Sequence, residues 1–427
     1  MSDSTAASSA SSASASAPTP SAPAPSAAAP GLSAGPLAGV KVLDLARVLA
    51  GPLCAAMLGD LGADVTKVEL PGRGDDSRDF TPHVNGESTY FMLLNRGKKS
   101  ITIDLKSPEG HALLLRLIEQ ADVLVENFRP GVTARLGIDY ESVKALNPRL
   151  VYVSISGFGQ TGPYAHRAAY DHIVQAMGGI MSVTGWADGP PTRIGDAVGD
   201  VVAGVYGSWG ALAALLQRGI TGEGQHVDVA MLDSIFSLQM VSLSQLLGGA
   251  GAPSRIGNSH PISAPMDAYA AADGHVVIAV ANDPLFVRLT TAMGRPELIA
   301  DPRFATDPDR LTHQQDLRTV IEEWTGAHSV DEIVTILETA GVPAAPIWDI
   351  GQVAASDHAA HRGLVKTVEH PVAGTVQVVP QPVHFSGRTD SPDLVAPTLG
   401  QHTEQILRDD LGLDAAEIQA LRESGVV

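Results

Sequence analysis

Residues 41–69 spell out one complete crossover unit, and this constrains the fold more than any other stretch. Lys41-Val-Leu-Asp-Leu45 is a short apolar run that reads as a buried strand. A loop, Ala46 to Pro52, follows, with the proline suited to the first turn of a helix. Residues 53–62 carry the helix pattern, and Gly62 closes it. Ala63-Asp-Val-Thr-Lys-Val-Glu69 is the second strand. A strand, a helix and a second short apolar strand in this order form a βαβ unit, the building block of a parallel sheet.

The alternation continues downstream. Ser107-Pro108 has the form of an N-cap followed by a first-turn proline, which predicts a helix from there to Gln120. Strands are expected at 122–126 and 150–156, with a short helix at 140–146 between them. A Gly/Ala-rich apolar helix is predicted over 201–217, then a strand at 226–230 and a helix near 232–247. Residues 248–265 turn to Gly, Pro, Ser and Asn, a linker composition. Strands are expected on either side of Ala272-Asp273-Gly274, and helices near 284–293, 313–325 and 330–340. The stretch 343–385 mixes β signals such as Gly374-Thr-Val-Gln-Val-Val379. The division that results is a Ser/Ala/Pro tail at 1–36 and a large-domain segment at 37–230. A linking helix and loop at 231–265 and a small domain at 266–342 follow, and 343–427 returns to the large domain. The tail has nothing large to bury and no basic start or Leu/Val-rich stretch, so it reads as disordered and not as a secretory signal.

Composition narrows the function. The formal charge of −19 argues against a nucleic-acid partner, which wants a basic face. It leaves room for an anionic small molecule held by a local basic patch. One cysteine, Cys54, excludes an intrachain disulfide and fits a reducing cytoplasm. The 14 histidines show no ligand spacing, so no metal is expected, and no apolar run is long enough to predict a membrane span.

Nucleotide motifs are weak. The loop Ala46-Arg-Val-Leu-Ala-Gly-Pro52 lacks the glycine triad that cradles a pyrophosphate. Gly157-Phe-Gly159-Gln-Thr-Gly162 has the formal spacing, but Pro163-Tyr164 follows where a helix should open. Asp200 is more informative. It lies in Gly199-Asp200-Val-Val-Ala-Gly204, at the mouth of the small-residue helix. An aspartate there can be an N-cap only. The same place favours a carboxylate electrostatically, and the glycines leave room for a bulky substrate, so a nucleophilic role stays open beside the capping role.

Taken in order, several blocks resemble class III CoA-transferases, the formyl-CoA and carnitine CoA-transferase family. They are Val42-Leu-Asp-Leu-Ala-Arg-Val-Leu-Ala-Gly-Pro52, Leu61-Gly-Ala-Asp-Val-Thr-Lys-Val-Glu69, Asn95-Arg-Gly-Lys-Lys-Ser100 with Asp104-Leu-Lys106, Val125-Glu-Asn-Phe-Arg-Pro-Gly131, Ser156-Gly-Phe-Gly-Gln-Thr-Gly-Pro163, Gly189-Pro-Pro191, Gly199-Asp200, Thr221-Gly-Glu-Gly-Gln-His-Val-Asp-Val-Ala230, Gly257-Asn-Ser-His-Pro261 and Gly400-Gln-His402. The resemblance implies a Rossmann-like large domain built from both chain ends, a smaller inserted α+β domain, and an interlocked homodimer. It makes Asp200 the covalent residue, passing through an aspartyl-CoA thioester. Coenzyme A is then a substrate and no cofactor is permanently bound. Tyr170, Asp171, Gly159 and Gln160 become active-site neighbours. Lys106, Asn127, Phe128 and Arg135 resemble the family's CoA-binding positions in type, and Ile103 and Val132 match apolar ones. Leu49 and Leu70 stand where formyl-CoA transferase has polar or basic groups. Arg96, Lys98, Lys99, Lys106, Arg129 and Arg135 would supply the positive patch for the CoA phosphates.

Two alternatives remain at this point. α-Methylacyl-CoA racemases resemble the same family but pair the aspartate with an upstream histidine, where this chain has Tyr170. Tyrosine, with a pKa of about 10, is a poor base near neutrality, which favours transfer. The other alternative is a CoA- or NAD-binding module without catalysis. The acceptor is expected among dicarboxylates such as succinate, glutarate or mesaconate, because no long glycine-rich flap stands at 257–266.

Overall fold

The computed structural model describes residues 35–388 and 392–427; the tail assigned to 1–36 lies outside the described residues up to position 34. Six strands form the main sheet: β1 (Lys41–Asp44), β2 (Asp64–Glu69), β3 (Lys99–Thr102), β4 (Val123–Glu126), β5 (Val151–Ser156) and β6 (His226–Ala230). Their order across the sheet is β3-β2-β1-β4-β5-β6. Each neighbouring pair runs parallel. Every residue of β5 is buried, as expected of a strand covered on both faces. The order reverses between β1 and β4, and in such sheets the crevice beyond the strand C-termini at the reversal is where ligands bind.

Helices cover both faces. One face holds α1 (Ala50–Asp60) and, further on, α3 (Asp171–Met177), α4 (Val198–Thr221) and α5 (Met231–Leu238), followed by α6 (Met240–Leu247). Cys54, Leu58, Val153, Ile155, Ala203, Ala211 and Ile235 pack together there. The opposite face is covered by α2 (Pro108–Gln120), whose Leu113, Leu114, Leu117 and Ile118 are buried. Ser107 opens α2 as expected, its hydroxyl accepting the Gly110 N–H at 3.0 Å.

The position of α4 depends on glycine. A Cβ on Gly204 would stand 2.7 Å from the Ala50 carbonyl oxygen, so α1 and α4 approach closely only because that atom is missing. Among the described residues, α4 is the one helix long and apolar enough to cross a bilayer by length and composition. Its Gly199, Ala203, Gly204, Gly207, Ala211 and Ala214 are instead buried within the protein.

A second core forms between residues 269 and 344. Its sheet has the order β9-β8-β7, from β7 (Met266–Ala270), β8 (His275–Ala279) and β9 (Ala344–Pro346), all antiparallel. Tyr269, Ile278, Phe286, Ile321 and Leu337 fill it, the last three from α7 (Asp283–Ala292), α8 (Gln314–Thr325) and α9 (Val330–Thr339). A hairpin, β10 (Lys366–His370) with β11 (Gly374–Val378), then packs Val376 near Phe91 and Met92.

The chain finally returns to the first sheet. Ile406 and Leu407 of α10 (Thr403–Asp409) and Ile418 of α11 (Ala415–Glu423) join the core beneath α2. The Thr102 N–H of β3 donates to Thr403 Oγ1 at 3.0 Å, and the Asp104 N–H donates to the Val426 carbonyl at 2.8 Å. Residues from both ends of the described chain thus complete one layer.

Candidate active site

Asp200 stands in a cleft at the reversal of strand order. The cleft, of about 200 Å³, is lined by Arg47 and Leu49 after β1, Asn127 and Phe128 after β4, Gly157 after β5, and Tyr170 and Asp200 from the helical side. Larger cavities of about 440 and 510 Å³ lie elsewhere, around Lys366–Phe385 and around Val241–His260. Chemistry distinguishes the smaller one, because it contains a carboxylate in an unusual state.

The helix begins earlier than the sequence suggested. Ala197 is the N-cap of α4, which puts Asp200 inside the first turn and not at the cap. Its carboxylate takes no hydrogen bond from the described residues. Burial pushes its pKa up to about 7, and the negative charge of Asp171 adds to the rise. A carboxylate free of hydrogen bonds and facing a cleft can act as a nucleophile once ionised.

Asp171, at the start of α3, holds this arrangement in place. Its Oδ1 accepts the Gly199 N–H at 2.8 Å and its Oδ2 accepts from Gln175 Nε2 at 2.7 Å. Gln175 is fully buried and also bonds Ile194 N–H and the Asp196 carbonyl, tying down the segment that enters α4. Gly199 is needed here, since a Cβ would meet Val174 Cγ2 at 2.8 Å and Asp171 Oδ1 at 3.1 Å.

Around the rim, Asn127 and Arg47 are joined backbone to side chain, Arg47 N–H to Asn127 Oδ1 at 2.8 Å and Asn127 Nδ2 to Arg47 O at 2.7 Å. The Arg47 guanidinium lies 5.7 Å from the Phe128 ring centroid, within reach of a cation–π contact. The Phe128 N–H donates to Glu126 Oε2 at 2.9 Å. Burial raises Glu126 to about 7, against the bonds it accepts from Ser154 and Phe128 and with the charge of Asp228.

The residues picked out by sequence are sorted sharply. Asp200, Tyr170, Asn127, Phe128 and Arg129 line the cleft, and Asp171 adjoins it. Val132 and Arg135 lie on the single helical turn Val132–Arg135 that follows, with Arg135 exposed, and Lys106 is exposed beyond β3. Gly159 and Gln160 sit after β5 against β6, where the Gln160 N–H donates to Asp228. The positive patch needs correction. Arg96 is 6% exposed and bonded to Asp60, and Lys98 is 3% exposed and bonded to Asp44, Pro52 O and Asn95. Lys99 pairs with Asp64 at 2.8 Å at the edge of the sheet, and Ile103 is a core side chain 1% exposed. Arg96 and Lys98 are buried cations whose carboxylate partners lie 36 and 54 residues away in sequence, so those pairings could not be read locally. Sequence reasoning missed Tyr90. Burial, then the charges of Asp200, Asp196, Asp75 and Asp171, push its hydroxyl up to about 12, which keeps it a donor near the carboxylates. No sequence signal marked it.

A family model described as CoA-transferase family III matches residues 37–403. The chain belongs to that family. Similar curated proteins of the family include the succinyl-CoA–D-citramalate CoA-transferase of Chloroflexus aurantiacus, 42% identical over 394 residues, with 91% of this chain and 98% of that protein covered. The succinate–glutarate CoA-transferase of Agrobacterium fabrum is 42% identical, with 88% and 95% covered. A solved CAIB/BAIF family protein from Brucella suis superposes with a TM-score of 0.79 at 41% identity, covering 88% of this chain and 99% of that one. This CoA-transferase therefore shares its α/β fold with known members.

Proposed function

We propose that the protein moves coenzyme A from an acyl-CoA to a dicarboxylic acid, with Asp200 carrying the CoA in between. The observation that carries this reading is the Asp200 carboxylate itself, without a hydrogen bond among the described residues, raised to about 7 and set in the cleft at the strand reversal. A capping residue would have its oxygens occupied by backbone N–H groups.

The steps balance without an outside proton or electron. Asp200 attacks the donor thioester carbonyl, the C–S bond breaks, and CoA leaves as thiolate with a mixed anhydride on Asp200. The thiolate attacks the aspartyl carbonyl and expels the donor carboxylate, leaving an aspartyl-CoA thioester. The acceptor carboxylate attacks that carbonyl and again frees the thiolate. The thiolate then attacks the acceptor's acyl carbon and restores the Asp200 carboxylate. Arg47 and Arg129 on the rim suit an anionic substrate, and Phe128 offers a flat apolar face. Relatives named for succinyl-CoA and for citramalate or glutarate point to dicarboxylate acceptors.

The test combines trapping with a substrate panel. Protein incubated with succinyl-CoA and then hydroxylamine should give a hydroxamate on the peptide holding Asp200, and succinyl-CoA should pass CoA to one or more of glutarate, mesaconate and citramalate. Deuterium entering the substrate α-carbon with no acceptor present would instead support a racemase, and tight CoA binding without turnover a binding module.

The pH profile gives a second check. Only ionised Asp200 can attack, so kcat/KM should fall as the pH drops through about 7. Removing the neighbouring charge in Asp171→Asn should move that limb to lower pH. A limb unmoved by the substitution would show that Asp171 does not raise Asp200.

The proposed assembly is an interlocked homodimer, in which a large domain from both chain ends carries the smaller 266–342 unit. Trp209, Leu216 and Ile220 on α4, and Phe236, Met240 and Leu247 on α5 and α6, are 53–84% exposed apolar side chains that a second copy would cover.

A further inference from the structure

The turn between β1 and α1 forms one wall of the Asp200 cleft, and it contains an improbable residue. Val48 lies at φ 67°, in the left-handed region where a branched Cβ is disfavoured. The only other non-glycine residue there, among those described, is Asn85, at φ 49°, a type that tolerates it. Such a conformation survives only where the surroundings over-determine it.

They do so at Val48. The Ala46 N–H donates to Asp44 Oδ1 at 2.9 Å, and the Ala46 carbonyl accepts from Lys67 Nζ at 2.7 Å. Both backbone groups of Arg47 are taken by Asn127. The Val48 N–H donates to Asp75 Oδ1 at 3.1 Å. Asp75 is 2% exposed, and its Oδ2 meets Lys67 Nζ, itself 1% exposed, at 2.8 Å. Burial works against the Asp75 charge, yet Lys67 and the Ser77 bonds outweigh it and hold the carboxyl well below its ordinary range. A glycine at 48 would make the same turn without any of this support. The fold keeps a valine there and spends a buried ion pair beneath it.

We propose that Lys67 and Asp75 are positioning residues: they lock Val48 left-handed and so set the Arg47–Leu49 wall against Asp200. The inference rests on the reading of Asp200 as the reacting group, and it deepens that reading.

A double-substitution cycle tests it. Asp75→Asn should lower kcat/KM for the acyl-CoA at least tenfold in the valine protein. In a Val48→Gly background the same change should cost no more than about threefold, because glycine takes this φ unaided. The melting temperature should follow the same pattern, with a smaller drop on glycine. Equal costs on both backgrounds, in kcat/KM and in melting temperature, would overturn the lock. The melting cycle does not involve Asp200 chemistry, so it decides the lock even if transfer itself proves absent. Wild-type transfer that persists in Asp200→Asn would defeat the nucleophile and leave the melting cycle to stand. Should Asp75→Asn fail to fold, Val48→Pro replaces it, since proline is fixed near φ −65°. Far-UV circular dichroism should then match the wild type while kcat/KM falls at least a hundredfold, and wild-type turnover in that variant would refute the proposal.

Discussion

Asp200→Asn is expected to abolish CoA transfer, by a factor of roughly 10³ or more, and to make the protein more stable at pH 8. The two effects share a cause. Asp200 has its pKa raised from 3.8 to about 7 by burial and by Asp171. The folded protein therefore keeps a proton that the unfolded chain gives up, so stability falls as pH climbs from about 4 to about 7. Above pH 7 the ionised form is fully penalised, by up to about 4 kcal/mol for a shift of that size. Asparagine has no charge to desolvate, so the gain should be present at pH 8 and nearly gone at pH 4. Thermal melts at the two pH values, with transfer assays beside them, read both effects. A variant that still transfers CoA would end the mechanism; one that melts like the wild type at pH 8 would show that Asp200 is better solvated than its surroundings indicate.

Lys98→Ala is expected to cost about 3–5 kcal/mol of stability, as removing one partner of a buried ion pair does. Lys98 Nζ bonds Asp44 Oδ2 at 2.7 Å, Pro52 O at 2.8 Å and Asn95 Oδ1 at 2.9 Å. Burial pulls its pKa down to about 8, with Asp44 opposing and Lys67 assisting, so it stays charged at neutrality. The alanine variant strands the acceptors and leaves Asp44 with the Ala46 N–H and, for a cation, Lys67 at 3.8 Å. Arg129→Ala, on the cleft rim, should behave in the opposite way, raising KM for the acyl-CoA with little change in melting. Denaturant unfolding and donor KM for the pair would separate the roles. If Lys98→Ala raised KM and left unfolding untouched, Lys98 would be a phosphate ligand after all.

That contrast shows what a sequence can convey about such a molecule. Elements governed by neighbours within a few residues were legible: the Ser107–Pro108 start of α2, the Gly62 stop after α1, the strands either side of Asp273. The hairpin strand Lys366–His370 and the helices Thr403–Asp409 and Ala415–Glu423 were not singled out, since their apolar residues are few and pack on distant partners. At the site, Asp200, Asp171, Asn127 and Phe128 could be named, because they sit in motifs. The state of Asp200 could not, because it depends on burial and on the charge of Asp171, which reaches the neighbouring Gly199 N–H from 28 residues away. Lys98 and Arg129 look alike in sequence, and what sets Lys98 apart is its burial against Asp44, 54 positions upstream, Pro52 O and Asn95. Val48 carried no mark at all.

The bonds of β3 to residues near the far end of the chain matter during synthesis. Ser100 and Thr102 wait for His402 and Thr403, 302 and 301 positions downstream. At about 5–20 residues per second, a ribosome needs roughly 15 to 60 s to supply those partners. For that interval an outer strand of the main sheet has its hydrogen-bonding side open to other nascent chains.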